Sequence, residues 1–415
     1  MTPTLVLAAV LCGSPLTALV TSPPEAHQAE PARQPEKPEA TREWLNWPLE
    51  EDPGPERGFF PLIGTVVAGS GLSAGVGYRD YGLLGSPVGF EVSALVSVRG
   101  YQLYRAHLGL LGLHRHLLDL RPPDEPVLSM MDDRRHAQRG LAVYLDGRYR
   151  HLPRNRFYGI GPGSLKDDRA DFLLKGAAFD LVVQGQFTPA FGVSGRAGLL
   201  ESILGDGRDG SWPAIEQRFV ATEVPGLLDP PRYLVAGICA AFDTRDDLDD
   251  RRRAVFLSGA AWRFDDTGGE AFDFTRLAVD ARAYVSPPAL PGVIAVRAVV
   301  STDLTGDGSR VPFFLQNALG GTDSLRAYGI SRWQDRAVAH ATAEYRWSPH
   351  RLLEVAPFLD VGTVGPGLSN LSGRGVNAGG GIGLRARWRN ATVARMDWAV
   401  GAEGARVVLD VGSVF

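Results

Sequence analysis

The chain has 415 residues, 50 glycines, 44% hydrophobic residues and a formal charge of −4 at pH 7. So small a charge argues against a nucleic-acid binder resting on a basic surface. No apolar run of about 20 residues follows the N-terminus, which argues against a helical membrane protein. The length suits two or three globular domains or one transmembrane barrel.

Taken in order, residues 1–22 read as a signal peptide, with a short apolar run ending at Cys12 and cleavage near 18–26. No lysine or arginine precedes that run, and Leu11 before Cys12 is a poor match to a lipoprotein cleavage box. Cys239 is then the one cysteine of the mature chain, so no internal disulfide is expected and the thiol reads as a packing residue. Residues 23–58 are rich in Pro, Glu, Ala and Arg without periodicity. They read as a disordered periplasmic segment. Within it, Trp44-Leu45-Asn46-Trp47 reads as an interfacial anchor or a docking motif.

From residue 59 the pattern is alternation, which places successive side chains on opposite faces of a strand. In 337–347 the odd positions hold Ala337, Ala339, Ala341, Ala343, Tyr345 and Trp347; His340, Thr342, Glu344 and Arg346 are even. In 353–362 Leu353, Val355, Pro357, Leu359 and Val361 oppose Glu354, Asp360 and Gly362. In 381–389 Gly381, Gly383, Arg385, Arg387 and Arg389 oppose Ile382, Leu384, Ala386 and Trp388. Charges of both signs on one face and near-pure apolar residues on the other fit a lumen and a lipid face better than a soluble sandwich. About sixteen such segments are readable: 59–67, 71–80, 87–98, 101–112, 139–150, 171–187, 190–203, 232–245, 253–265, 272–286, 291–303, 336–348, 352–363, 378–389, 393–402 and 406–415. The predicted fold is all-β, a transmembrane antiparallel β-barrel of about 16 strands spanning 59–415, closed because an open edge in lipid leaves backbone groups unpaired. Long connections at 151–170, 204–231 and 304–335 are expected outside the cell and short turns in the periplasm, with 113–138 as one long periplasmic exception.

Phe157-Tyr158-Gly159-Ile160-Gly161-Pro162-Gly163 has no following Lys-Ser/Thr and reads as a packed turn rather than a phosphate-binding loop. His114, His116 and Asp119 read as solvated polar residues rather than a metal site. No G-x-S-x-G is present, and no histidine has an evident nucleophile setting. No catalytic residue, metal or cofactor is therefore assigned, and an enzyme is not expected.

One glycine-punctuated stretch, Leu319-Gly320-Gly321-Thr322-Asp323-Ser324-Leu325-Arg326-Ala327-Tyr328-Gly329, lies between two alternating segments. Gly320, Gly321 and Gly329 permit a sharp re-entry, and Glu344 and Asp360 share the lumen-facing parity. If the loop folds inward, Arg326 can form a charge-assisted pair with one of them. The ordered series from this loop through Ala343-Glu344-Tyr345-Arg346, Pro357-Phe358-Leu359-Asp360-Val361-Gly362, Gly379-Gly380-Gly381-Ile382-Gly383-Leu384-Arg385 and Arg395-Met396-Asp397-Trp398-Ala399 to Phe415 resembles the barrel of the BamA/TamA-type outer-membrane assembly factors. These are also called the bacterial surface antigen family. The resemblance is strongest over 311–415 and reads Phe415 as the C-terminal strand signal.

In that family a loop with a (V/I/L)-R-G-(F/Y) motif folds into the barrel. The motif here is Leu325-Arg326-Ala327-Tyr328, with alanine in place of glycine. The resemblance implies an Arg326–Asp360 pair with Tyr328 packed beside it. It also implies a bacterial outer-membrane location and a role in assembling outer-membrane proteins or translocating protein or lipid. The implied surroundings are outer-membrane lipid and lipopolysaccharide, unfolded outer-membrane or secreted protein clients, and a periplasmic accessory protein; no nucleic acid is expected. Family members usually carry periplasmic POTRA domains before the barrel, and residues 23–58 leave no room for one. That leaves a passive porin-like channel or structural barrel as the alternative.

Overall fold

The computed structural model describes residues 57–83, 86–110, 139–207, 212–245, 253–269, 271–371, 375–388 and 391–410. All of these lie in one compact unit, Glu51–Phe415. The expected signal peptide at 1–22, the segment at 23–56 with Trp44 and Trp47, the 113–138 connection with His114, His116 and Asp119, and Phe415 lie outside the described residues.

Sixteen strands form one antiparallel sheet, each hydrogen-bonded to its neighbours in chain order. They are β1 (Arg57–Gly64), β2 (Ser73–Asp80), β3 (Gly89–Ser97), β4 (Gln102–Gly109), β5 (Gly140–Phe157), β6 (Ala170–Thr188), β7 (Phe191–Asp206), β8 (Tyr233–Asp243), β9 (Arg253–Asp266), β10 (Phe274–Val285), β11 (Val293–Thr305), β14 (Ala337–His350), β15 (Leu353–Gly365), β16 (Asn377–Trp388), β17 (Ala391–Gly401) and β18 (Gly404–Asp410). Two short strands, β12 (Asn317–Leu319) and β13 (Trp333–Asp335), pair only with each other inside the connection from β11 to β14. Three-residue strands carry too little alternation to be read from sequence, and this ribbon was not expected. The strand count of the large sheet is the one the alternation gives.

Among the described residues most boundaries shift by up to three residues, and one differs by more. Strand β5 continues past residue 150 to Phe157, and β6 starts at Ala170, so the expected loop at 151–170 shrinks to 158–169. Pro153 lacks a ladder donor. The ladder absorbs it in a register shift between Leu152 and Asn155, a β-bulge, after which pairing resumes at Asn155 with Phe172.

The ladder registers bring the apolar parity of each strand into rows. Val255, Ala283, Val296, Ala343, Leu359, Gly380, Val400 and Ala405 follow one another across β9, β10, β11, β14, β15, β16, β17 and β18. Leu359 is 58% and Val400 60% exposed, and Leu257, Val279, Ile382, Trp398 and Val407 beside them are also exposed. A soluble protein does not leave an apolar surface of this extent in water; hydrocarbon is its natural solvent. The opposite face is buried and carries the charged residues among apolar ones. Its rows run Arg282, Arg297, Thr342, Asp360, Gly379, Gly401 and, two residues further from the loop end, Ala295, Glu344, Phe358, Gly381, Ala399. That face is the lumen.

Chain direction alternates, so the connections at 158–169, 207–232 and 306–336 gather at one end of the strands. Among the described residues β1 pairs only with β2 and β18 only with β17, leaving the sheet open between its first and last strands. Strand β1 is apolar on both faces. Phe59 and Ile63 are largely exposed on one side, and Phe60 and Leu62 are half-buried on the other.

Leu359→Arg tests the lipid face. On a water-exposed site such a change stays within about 0.5 kcal/mol. Near the bilayer midplane it costs roughly 2–4 kcal/mol. Urea unfolding in lipid vesicles should give the larger loss, and a loss within the smaller range would show that this face does not meet lipid.

Candidate functional site

The site is the connection between β11 and β14, folded back into the lumen. Gly320 and Gly321 have φ of +109° and +108°, a region that favours glycine. A Cβ at Gly320 would collide with the Gly329 carbonyl, so the two ends of the turn touch only because the residue is glycine. The turn is closed by Gly320 N–H donating to Ser324 Oγ at 2.9 Å and Gly321 N–H to the Leu325 carbonyl at 3.2 Å. Gly329 has no such φ; its Cα sits against the Tyr158 hydroxyl. Leu319, Leu325, Ala327, Tyr328 and Trp333 are buried with Val338, Phe358, Val364 and Ala399 of the wall. The loop thus has its own apolar footing on β14, β15 and β17.

This footing places Arg326 on the wall with 1% exposure. Its Nε donates to Asp360 Oδ2 at 2.9 Å and its Nη2 to Asp360 Oδ1 at 2.7 Å. The Arg326 backbone N–H donates to Asp360 as well, at 3.1 Å. Its Nη1 donates to Glu344 Oε1 at 2.6 Å. The bidentate fork matches the planar carboxylate and fixes orientation as well as charge. The guanidinium carbon lies 3.4 Å from the centre of the Phe358 ring, a cation–π seat on the lumen face between the two carboxylates. Burial works against the charge, yet hydrogen bonding to Asp360 and the fields of Glu344 and Asp360 raise the Arg326 pKa above the ordinary arginine value.

Neither carboxylate depends on Arg326 alone. Asp360 also accepts from Thr342 Oγ1 at 3.0 Å, its direct cross-strand neighbour. Glu344 accepts from Arg385 Nη2 at 2.8 Å and from Arg346 Nε at 2.8 Å. Arg385 in turn donates to Glu354 at 2.8 Å. Through hydrogen-bonded contacts Arg326, Arg346 and Arg385 thus face Glu344, Glu354 and Asp360, three against three, the kind of pairing a dry polar cluster requires; Asp397, without a hydrogen bond, lies 3.8 Å from Arg326 outside that set.

Tyr328 lies beside the pair. Its hydroxyl donates to the Ala378 carbonyl at 2.8 Å and accepts from Ala402 N–H at 3.1 Å, so one side chain joins β16 to the β17–β18 turn. Its ring packs on Trp333 at 4.9 Å. Ala327 occupies a slot floored by glycine. A Cβ at Gly379 would lie 2.6 Å from the Ala327 Cβ, and one at Gly401 2.9 Å from it. Gly379 and Gly401 are direct partners on β16 and β17. The methyl that Ala327 adds to the motif is taken up by two missing methyls in the wall.

Several contacts of the loop lie beyond sequence reasoning. Arg332 donates to Glu403 Oε1 at 2.7 Å in the β17–β18 turn and to the Ser164 carbonyl at 2.9 Å in the β5–β6 loop. Gly161 N–H donates to the Gln334 carbonyl at 2.7 Å. The turn at 157–163, read from sequence only as packed, is therefore the seat of the returning loop. Phe313, at the other end of the loop, stacks edge-on with Phe157 and Phe172. Ile330 covers Gly69 in the β1–β2 turn. The inserted segment therefore crosses the lumen from β5 and β6 to β17, and reaches turns on both sides of the open seam.

Residues 236–403 match the Omp85 superfamily domain. No curated protein matches the sequence. Among solved structures, BamA from Haemophilus ducreyi lacking POTRA domains 1–3 is similar, with a TM-score of 0.60 and 13% identity over 86% of this chain and 69% of that one. CdiB from Acinetobacter baumannii gives a TM-score of 0.46 at 12% identity, and CdiB from Escherichia coli 0.47 at 11%. Each covers 86% of this chain, which spans 59% and 62% of theirs. At such identities the likeness to BamA speaks for the fold.

Gly401→Val would fill the slot beneath Ala327 and Tyr328. Overpacking of a tight site costs typically 1–3 kcal/mol. The temperature at which the folded band disappears in a gel-shift assay should fall, and Ala327→Gly in the same chain should recover part of the loss. No recovery would mean that the two residues do not share the slot.

The motif series of the last third, the loop folded against it and the sixteen-strand sheet all meet in one stretch: residues 236–403 match the Omp85 superfamily domain and resemble the BamA/TamA type, and the chain has the fold of a β-barrel protein of the bacterial outer membrane.

Proposed function

We propose that this barrel assembles outer-membrane proteins or translocates protein or lipid by opening sideways between β1 and β18, with the inserted loop as the lock that holds the rest of the barrel in register. The observation that carries this reading is the Arg326 cluster. A loop merely closing a pore needs no buried guanidinium clamped by two carboxylates from adjacent strands. A loop that must brace a wall while one seam is loose does. The unpaired edges of β1 and β18 support the same reading, since a free strand edge is a template for another strand. Pro61 in β1 weakens that edge further by removing a ladder donor.

In this reading the end with long loops faces outward and the short turns face the periplasm. The surroundings are outer-membrane lipid and lipopolysaccharide, the clients are unfolded outer-membrane or secreted proteins, and a separate periplasmic protein supplies delivery. Residues 1–22 serve as signal peptide, and the residues between them and β1 lie on the periplasmic side. A steadily conducting porin-like barrel is disfavoured by the loop, which crosses between the β5–β6 and β17–β18 sides at the loop end.

Arg326→Ala leaves Asp360 without its charged partner, a loss on the order of 3–5 kcal/mol, and Asp360→Ala, which leaves Arg326 to Glu344, costs less. Each should lower the heat resistance of the folded band. The double variant should cost less than the sum, because both changes remove one interaction. Simple additivity would remove the lock. Function is tested by recovering native complexes from outer membranes and by planar-bilayer recording. Client or accessory proteins with little steady conductance are expected; steady conductance without any bound protein would favour the passive channel.

A further inference from the structure

A second arginine on the lumen wall joins the inserted loop to the last strand. Arg395, on β17, is 3% exposed. The register sets it directly opposite Asp410 of β18 on one side and Arg385 of β16 on the other. Two arginines facing each other across a ladder repel, so each needs acceptors of its own. Arg385 has Glu344 and Glu354. The Nη2 of Arg395 donates to Asp410 Oδ2 at 3.0 Å. The same nitrogen donates to the Thr322 carbonyl at 3.5 Å and lies 3.9 Å from Asp323 Oδ1. One guanidinium therefore holds the end of β18 and the turn that starts the Arg326 motif. From the far side, Arg297 of β11 donates to the Asp323 carbonyl at 3.5 Å.

Beside it stands a carboxylate with capacity to spare. Asp397, two residues further along β17 and on the same face, is wholly buried. Neither of its oxygens accepts a hydrogen bond, and Arg395 Nη1 and Arg326 Nη1 each lie 3.8 Å from it. At 3.8 Å it offsets charge without fixing geometry. It is the acceptor to which Arg395 can turn if Asp410 moves away, since a buried guanidinium without any close acceptor is strongly unfavourable.

We propose that Arg395 is a positioning residue that couples the seam to the inserted loop. While β18 is in place, Arg395 spans Asp410 and Thr322–Asp323. When β18 leaves, Asp410 goes with it, Arg395 swings onto Asp397, and its hold on Thr322–Asp323 is released. Loop position and seam opening are then two readouts of one equilibrium. The inference rests on the sideways-opening reading above.

The test uses the full chain in vesicles of outer-membrane lipid, with Cys12 and Cys239 replaced by alanine. Spin labels go on Phe59→Cys and Val407→Cys, which are 75% and 56% exposed on β1 and β18. The distance distribution between them reports the seam. Arg395→Gln and Asp410→Asn should each raise the widely separated population about fivefold or more, the lower end of common coupling strengths. Their double variant should do no more than either alone, and Arg395→Lys, which keeps the charge, should restore most of the original distribution. If Arg326→Ala widens the distribution while Arg395→Gln and Asp410→Asn leave it unchanged, Arg395 has no coupling role and the seam reading survives. If no variant widens it, Arg326→Ala included, the seam does not open and both ideas fall. Widening by Arg395→Gln but not by Asp410→Asn would mark a general loss of packing and overturn the coupling. Should Arg395→Gln fail to fold, Asp410→Asn, at the end of its strand, decides alone.

Discussion

A guanidinium buried on a β-wall must be neutralised there, and the lumen is arranged around that constraint at Arg326. Desolvating a cation is compensated only when carboxylates of good geometry stand close by. Asp360 and Glu344 meet it because they lie on adjacent strands, in the positions next to Thr342 and Phe358. Thr342 steadies Asp360, and Phe358 puts an aromatic face under the cation. Glu344 can accept from three arginines because Arg346 lies two residues on along the same face and Arg385 reaches it from β16. Remove any one member and the remaining charges no longer balance. The wall and the loop therefore specify each other's position.

The apolar side of the same contact obeys a different rule. Strands β16 and β17 carry Gly379, Gly381, Gly383 and Gly401 on the lumen face, a groove in a wall otherwise lined by side chains. Glycine within a strand weakens it and is kept where another group must come close. Here Ala327 and Tyr328 approach at Gly379 and Gly401, the Phe358 ring lies over Gly381, and Asp397 fills the space at Gly383. The departure from glycine to alanine at 327 thus leaves the contact tight, because the space belongs to the wall and not to the loop.

Much of this was legible because period 2 needs no knowledge of register. Parity alone puts Glu344, Asp360, Arg385, Arg395 and Asp397 on one face and Leu359, Ile382, Trp398 and Val400 on the other. Register and long-range return were not legible. Nothing local to Arg332, Glu403 or Ser164 indicates that they meet, since they are brought together by the curvature of the whole sheet. The extension of β5 past residue 150 was not legible either, because the bulge that accommodates Pro153 depends on β6. The ribbon of β12 and β13 is shorter than any period a sequence can display. The openness between β1 and β18 has only a weak trace in Pro61 and Gly64, because a missing ladder is a property of two distant strands.

An open edge and a clamped loop fit together once the cost of each is considered. Unpaired N–H and C=O groups in a membrane are expensive, so a barrel with a loose seam needs stability that does not come from the seam. The Arg326 cluster lies on β14, β15 and β16, strands paired on both sides, where it can brace the wall whether or not β18 is held. Its outlying contacts are different in kind. Tyr328 to Ala402, Arg332 to Glu403, Ile330 to Gly69 and Arg395 to Asp410 all reach turns or strands that border the seam. They are single hydrogen bonds, ion pairs and packing contacts rather than a balanced cluster, and each can be given up without stranding the three-against-three core. The loop thus has a strong inner anchor on strands paired on both sides and weaker outer ties beside the open edge, the gradation that the proposed sideways opening needs.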